Sequence, residues 1–132
     1  MELQLKIIGG LLIALALVHI FFPAYFGWKK ELQSISLINR QVMYVHTFFI
    51  AVIIFLMGAF CIYCTTDIIY TKLGKQFSLA LSVFWGLRLF FQFFIYSPKL
   101  WKGKYFETII HIIFSILWAY LTIIFFLVYV SK

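Results

Sequence analysis

Four predominantly apolar runs, at about residues 3–22, 42–66, 77–96 and 106–130, take up most of this 132-residue chain. Each reaches the roughly 20 residues that an α-helix, rising about 1.5 Å per residue, needs to cross a hydrocarbon layer about 30 Å thick. Inside lipid every backbone N–H and C=O has to be satisfied within its own segment unless a barrel closes, and no run shows the strict alternation of barrel strands. The runs therefore predict helices. Only 11% of the residues are charged and 65% are hydrophobic, whereas about a quarter of the residues in a soluble domain carry charge. Such a chain cannot clothe itself in polar groups, and lipid is its solvent. The expected fold is an all-α integral membrane protein, a single domain over residues 1–132, with four transmembrane helices in an antiparallel up-and-down bundle.

The first run contains Ala14-Leu15-Ala16, the small-x-small form of a signal cleavage site, yet it lacks a strongly basic start. Its apolarity also continues through His19-Ile20-Phe21-Phe22, longer than a signal core. It is read as a retained helix. An even number of spans places both termini and the short turn 67–75 on one side, here side A, and the connections 23–41 and 97–105 on side B. Side B holds Lys29, Lys30, Arg40, Lys99, Lys102 and Lys104, against Lys6, Lys72, Lys75 and Lys132 on side A. The excess favours side B as cytoplasmic, hence N-out/C-out, with a bacterial inner membrane as the expected location.

Pro23 is expected to end or kink the first helix, Ser34 or Ser36 to cap the second, and Ser97-Pro98 to end the third. Basic and aromatic residues in both side-B connections suit headgroup anchoring, so the net charge of +7 calls for no nucleic-acid partner.

Polar residues within spans normally face other helices. At about 100° per residue, the third helix gathers Ser78, Ser82, Trp85, Arg88, Gln92 and Tyr96 into an arc of roughly 120°. The fourth gathers Lys104, Glu107, His111, Ser115, Trp118, Thr122 and Tyr129 into roughly 80°, and the second Asn39, Met43, His46, Met57, Cys61 and Cys64 into roughly 60°. On the first, Gly9, Leu12 and Ala16 lie near the azimuth of His19, where small residues permit close helix approach. His19, His46 and His111 all fall toward side B, with Arg88 and Gln92 at similar depths. Arg88 is the costliest residue, at about 2.5–3.5 kcal/mol on insertion scales for a helix centre. Glu107 is its expected counter-charge.

These residues define a one-sided His/Arg/Glu pocket. Two neutral imidazoles at one depth can clamp a haem iron, His46 and His111 being the first pair and His19 the alternate, with Arg88 meeting a propionate. The arrangement resembles the small four-helix membrane anchors that hold haem b, although no motif specific to them is present. The same residues, with Gln92, suit a small anionic or quinone-like ligand. His19, His46, His111 and Glu107 also supply enough N and O donors for zinc or iron, the case of a metal-dependent membrane enzyme. Cys61-Ile62-Tyr63-Cys64 is a candidate redox pair, but it sits at a helix C-terminus, where a thiol gains no acidity, and on the opposite membrane face. The other reading is a non-catalytic accessory subunit whose helices pack on a membrane-protein partner or on further copies of the chain. No phosphate-binding glycine loop or Ser-His-Asp order is present.

Overall fold

A computed structural model describes residues 1–132. Six α-helices follow one another: α1 (Glu2–Tyr25), α2 (Trp28–Glu31), α3 (Leu37–Tyr63), α4 (Thr65–Tyr70), α5 (Lys72–Phe94) and α6 (Tyr105–Val130). Short 3-10 turns at Leu32–Ser34 and Pro98–Leu100 complete the secondary structure, and there is no strand. The four long helices, α1, α3, α5 and α6, are long and apolar enough to cross a membrane. The chain is a multi-pass, all-α integral membrane protein. It divides into two compact units, residues 3–65 and residues 66–132 joined by residues 1–2.

In the first unit α1 and α3 run antiparallel and touch through glycine. A Cβ on Gly58 would stand 2.7 Å from the Gly9 carbonyl oxygen and 2.9 Å from Ile13 Cγ1, and one on Gly9 would stand 2.5 Å from Ile62 Cγ1. Lipid tails are as apolar as leucine, so membrane helices associate through van der Waals contact, and backbones approach closely only where side chains are absent. Gly9 was legible as such a position; its partner Gly58 was not. The buried stripe Leu5, Ile8, Leu12, Leu15 and Ala16 follows the i, i+3, i+4, i+7 spacing of one helical face.

Of the two outcomes expected at Pro23, the helix does not end there: α1 continues through it for two residues, to Tyr25. Proline here removes only the hydrogen bond that would run to the His19 carbonyl, and the Phe26 N–H still donates to the Phe22 carbonyl at 2.9 Å. The chain then turns at Gly27, whose φ of +63° is open to glycine. Trp28 of α2 lies edge-on against Tyr44 of α3, with centroids 5.5 Å apart. Ser36 holds the N-cap position of α3 but makes no capping bond through its side chain.

The second unit corrects the reading of 67–75 as a simple turn. Residues of α4 occupy its first half, and α5 begins at Lys72, five residues before the expected start. Thr71 makes the corner. Its hydroxyl donates to the Asp67 carbonyl at 2.7 Å and accepts from the Gly74 N–H at 2.9 Å, satisfying one orphan donor of the new helix. Gly74 packs directly on the backbone of Asp67 and Ile68, leaving no room for a Cβ. From there α5 and α6 run antiparallel along their length. The Lys75 ammonium donates to the Ser131 carbonyl at one end, Ser82 Oγ to the Thr122 carbonyl at 2.9 Å near the middle, and Gln92 meets His111 toward the other end. Part of the polar face read from the sequence is buried: Ser78, Ser82, Trp85 and Gln92 on α5 and Trp118 on α6 are inside, Arg88, His111, Ser115 and Thr122 are half-buried, and Tyr96, Lys104, Glu107 and Tyr129 of the same arcs are exposed.

Candidate functional site

The upper half of the α5–α6 hairpin, away from the α4 corner, brings Arg88, Gln92, His111 and Trp118 together with a side-B loop. Arg88 and Gln92 are one helical turn apart and so share a face, as do His111, Phe114 and Trp118 on α6. Trp118 is the centre. Trp85 stacks on it with centroids 5.1 Å apart and planes 10° apart, Phe114 stacks at 5.5 Å, and the Arg88 guanidinium carbon lies 5.1 Å from its ring centroid. The same guanidinium lies 5.4 Å from the ring of Tyr96, just past the end of α5.

Arg88 therefore meets aromatic faces where Glu107 was expected. Glu107 is exposed in the first turn of α6 and makes no ion pair. There the positive end of the helix dipole and the headgroup layer already suit a carboxylate. Tyr96 and Trp118 offer the cation an attraction of roughly 0.5–2 kcal/mol each through the ring quadrupole. A guanidinium attracted to ring faces still has N–H groups to offer other partners, and within the second unit Arg88 makes no ion pair or hydrogen bond beyond these ring contacts.

Above Arg88 the hydrogen-bond polarity is determined by one fact: indole nitrogen can only donate. Trp118 Nε1 donates to Gln92 Oε1 at 3.4 Å, which turns the Gln92 amide nitrogen toward His111, where it donates to Nδ1 at 2.8 Å. Nδ1 of His111 is consequently an acceptor, and the neutral ring carries its proton on Nε2. Trp101 covers the imidazole face, with centroids 3.8 Å apart and planes 11° apart, and Phe93 meets its edge at 5.9 Å.

The loop that delivers Trp101 is itself ordered by hydrogen bonds. Ser97 Oγ accepts from the Lys99 N–H at 3.3 Å, the Lys102 N–H donates to the Pro98 carbonyl at 2.8 Å, and Gly103 turns the chain with a φ of +76°. The Thr108 hydroxyl of α6 then reaches the Trp101 carbonyl at 2.7 Å.

The remaining candidates belong to the first unit. His19 donates from Nδ1 to the Leu15 carbonyl at 2.8 Å and packs on Phe22 with centroids 4.5 Å apart, so its lone pair is on Nε2. His46 is exposed on α3. These two histidines belong to the first unit and share no hydrogen bond or ring contact. Cys61 is fully buried and Cys64 half-buried, both as free thiols. Within neither unit do three or more His, Cys, Asp or Glu side chains gather into a group that could hold a metal ion.

One buried donor of the second unit is left over. Trp85 is 2% exposed, and its Nε1–H has no acceptor. An unmade hydrogen bond of this kind costs about 1–3 kcal/mol, and such groups are rare in finished structures. Trp85 and Tyr96 lay on the polar arc of the third helix in the sequence. Trp101 carried no periodic signal, because a hydrogen-bonded turn and not a helix brings it to His111.

Comparison of the chain with known protein families, with curated proteins and with solved structures finds no match.

Proposed function

We propose that the α5–α6 hairpin binds the oxygen-bearing head of an amphiphilic small molecule, a carboxylate, phosphate or quinone-type carbonyl, with Arg88 as the anchor. The observation that carries this reading is the guanidinium itself. It is held inside a spanning helix by Tyr96 and Trp118, has no counter-ion, and keeps its hydrogen-bonding edge uncommitted. A planar oxygen acceptor fits that edge in the bidentate manner for which arginine is suited. Trp85 Nε1–H is a second unused donor on the same helix, one turn deeper. Gln92 and His111 set the polarity of the wall above, and the Trp101 loop bounds the site toward the surface. An N-out/C-out arrangement in a bacterial inner membrane would open this site to the cytoplasmic side.

Haem fits these residues less well. Axial ligation uses a bare ring nitrogen while the other nitrogen donates to an acceptor. His111 has the reverse polarity on Nδ1 and a tryptophan on its face. His19 has the right polarity but lies in the other unit. Binding without catalysis is the minimal form of the proposal, and an accessory role in a larger complex is compatible with it.

The test is thermal unfolding of the purified chain in mild detergent, with and without oleate or decylubiquinone, together with mass spectrometry of co-purified lipids. At least one head type should raise the midpoint of the wild-type chain and of Lys102→Leu, and leave Arg88→Leu unmoved. Equal responses of Arg88→Leu and the wild type would refute the anchor. A Soret band after expression with adequate haem would replace this reading with the haem one.

A further inference from the structure

At the other end of the same hairpin, the α4–α5 corner and the last turn of α6 border an open groove of about 470 Å³ lined by Tyr70, Thr71, Lys72, Lys75, Gln76 and Tyr129. In so apolar a chain, a groove with two lysines, an amide, three hydroxyl-bearing residues and no carboxylate stands out. It is separate from the Arg88 site and does not depend on it.

The donors divide into spent and free. The Thr71 hydroxyl is fully used at the corner, bonded to Asp67 and Gly74, so it shapes the wall without offering a proton. Lys75 is half-buried, and its ammonium is tethered by one bond to the Ser131 carbonyl. Of its three protons two stay uncommitted. The tether matters because it removes most of the rotamer freedom that a surface lysine loses on binding. Lys72, one turn earlier, is exposed and makes no ion pair or hydrogen bond, and the Gln76 amide is likewise exposed. Asp67, the nearest acid in sequence, pairs with neither lysine. The first N–H groups of α5 add the positive end of a 23-residue helix to the same place.

We infer that this groove is a binding site for a phosphate group, seated between Lys72 and Lys75, with Gln76 and the tyrosine hydroxyls as further donors. Its place at the ends of two spanning helices is the depth of phospholipid headgroups. Tyr70 and Tyr129, with apolar rings and polar tips, are the residues that border such a layer. The ligand the geometry favours is the phosphodiester of an anionic phospholipid whose acyl chains run down the outside of the hairpin. Soluble inorganic phosphate has the same chemistry and is the other source to test.

The experiment uses the full chain in phosphatidylcholine nanodiscs doped with phosphatidylglycerol. After transfer to detergent, the phosphatidylglycerol retained per chain is counted by native mass spectrometry. The wild type should retain it in preference to phosphatidylcholine. Lys72→Gln, which replaces an exposed side chain that makes no hydrogen bond or ion pair, should keep the fold and retain several-fold less. Lys72→Gln with Lys75→Gln should fall at least about tenfold, equivalent to about 1.4 kcal/mol. Arg88→Leu should retain as much as the wild type, which separates this site from the one proposed above. In a second arm inorganic phosphate is titrated into detergent-solubilised chain. A midpoint shift in the wild type that Lys72→Gln loses, without preference for phosphatidylglycerol, names soluble phosphate as the occupant. Retention by Lys72→Gln and the double variant equal to the wild type, with no response to phosphate, would overturn the inference.

Discussion

Replacing Gly58 with alanine tests how the first unit is held together, and the neighbouring glycines supply internal standards. The added Cβ would stand 2.7 Å from the Gly9 carbonyl oxygen and 3.1 Å from the Ile13 amide nitrogen, where ordinary contact begins at 3.4 Å. Both neighbours are backbone atoms and cannot swing aside, so α1 and α3 must part by several tenths of an ångström along the crossing. Overpacking of this kind costs about 1–3 kcal/mol. Against it stands the gain in helix propensity from Gly to Ala, up to about 1 kcal/mol. Gly10, next to Gly9 but with nothing within 4 Å of its would-be Cβ, receives the same gain without the clash. Subtracting one variant from the other cancels propensity and leaves the packing term. The assay is reversible unfolding in mixed detergent micelles, followed by far-ultraviolet circular dichroism. Gly10→Ala should equal or exceed the wild type, and Gly58→Ala should fall about 1–3 kcal/mol below Gly10→Ala. If the two variants unfold together, the α1–α3 contact does not rest on missing side chains.

The other predictions concern the second unit. Gly74→Ala drives a Cβ into the backbone of Asp67 and Ile68 and should destabilise by about 3 kcal/mol or more, whereas Gly86→Ala meets only a Thr122 methyl at 3.6 Å and should be near neutral, both read by the same unfolding assay. Thr71→Val removes the hydroxyl that caps α5 and should cost about 1 kcal/mol while keeping the shape, with faster amide exchange at Gly74 as its signature. Gln92→Leu strands the Trp118 N–H and His111 Nδ1 and should cost about 1–3 kcal/mol, and Trp118→Phe in the Gln92→Leu background should restore part of that loss. In nitrogen-15 spectra His111 should show a proton on Nε2 and none on Nδ1, and Gln92→Glu should move it to Nδ1; a protonated Nδ1 in the wild type would remove the polarity argument against haem.

The spans were legible because hydropathy reports burial in lipid directly. Their ends were less so. Residues 37–41 include Asn39, Arg40 and Gln41, and residues 72–76 include Lys72, Lys75 and Gln76; all are compatible with helix but polar, so an apolar threshold stops short of both N-termini. Helical phase placed Arg88, Gln92, Trp118 and Tyr96 on inner arcs, yet phase gives an azimuth and not a neighbour. Charge complementarity then suggested Glu107 for Arg88, and the structure offers two rings instead, because Trp118 and Tyr96 fill the space within reach. Trp101 was out of reach of any periodic argument, since its position depends on Ser97, Pro98, Gly103 and Thr108 acting together. The neutral tautomer of His111 needed three partners in known orientation and could not be read from spacing.

The aromatic clamp on Arg88 also bears on how the chain enters a membrane. Tyr96 and Trp118 both belong to the hairpin that carries the charge, so shelter for the guanidinium is local. An arginine whose partner sat elsewhere in the protein would have to wait in the translocon, or at the bilayer surface, until that partner arrived. Here α5 and α6 can leave the translocon as a pair with the charge already covered. Both rings that hold Arg88 are thus supplied by the hairpin itself, and its insertion as a pair needs no contribution from the first unit.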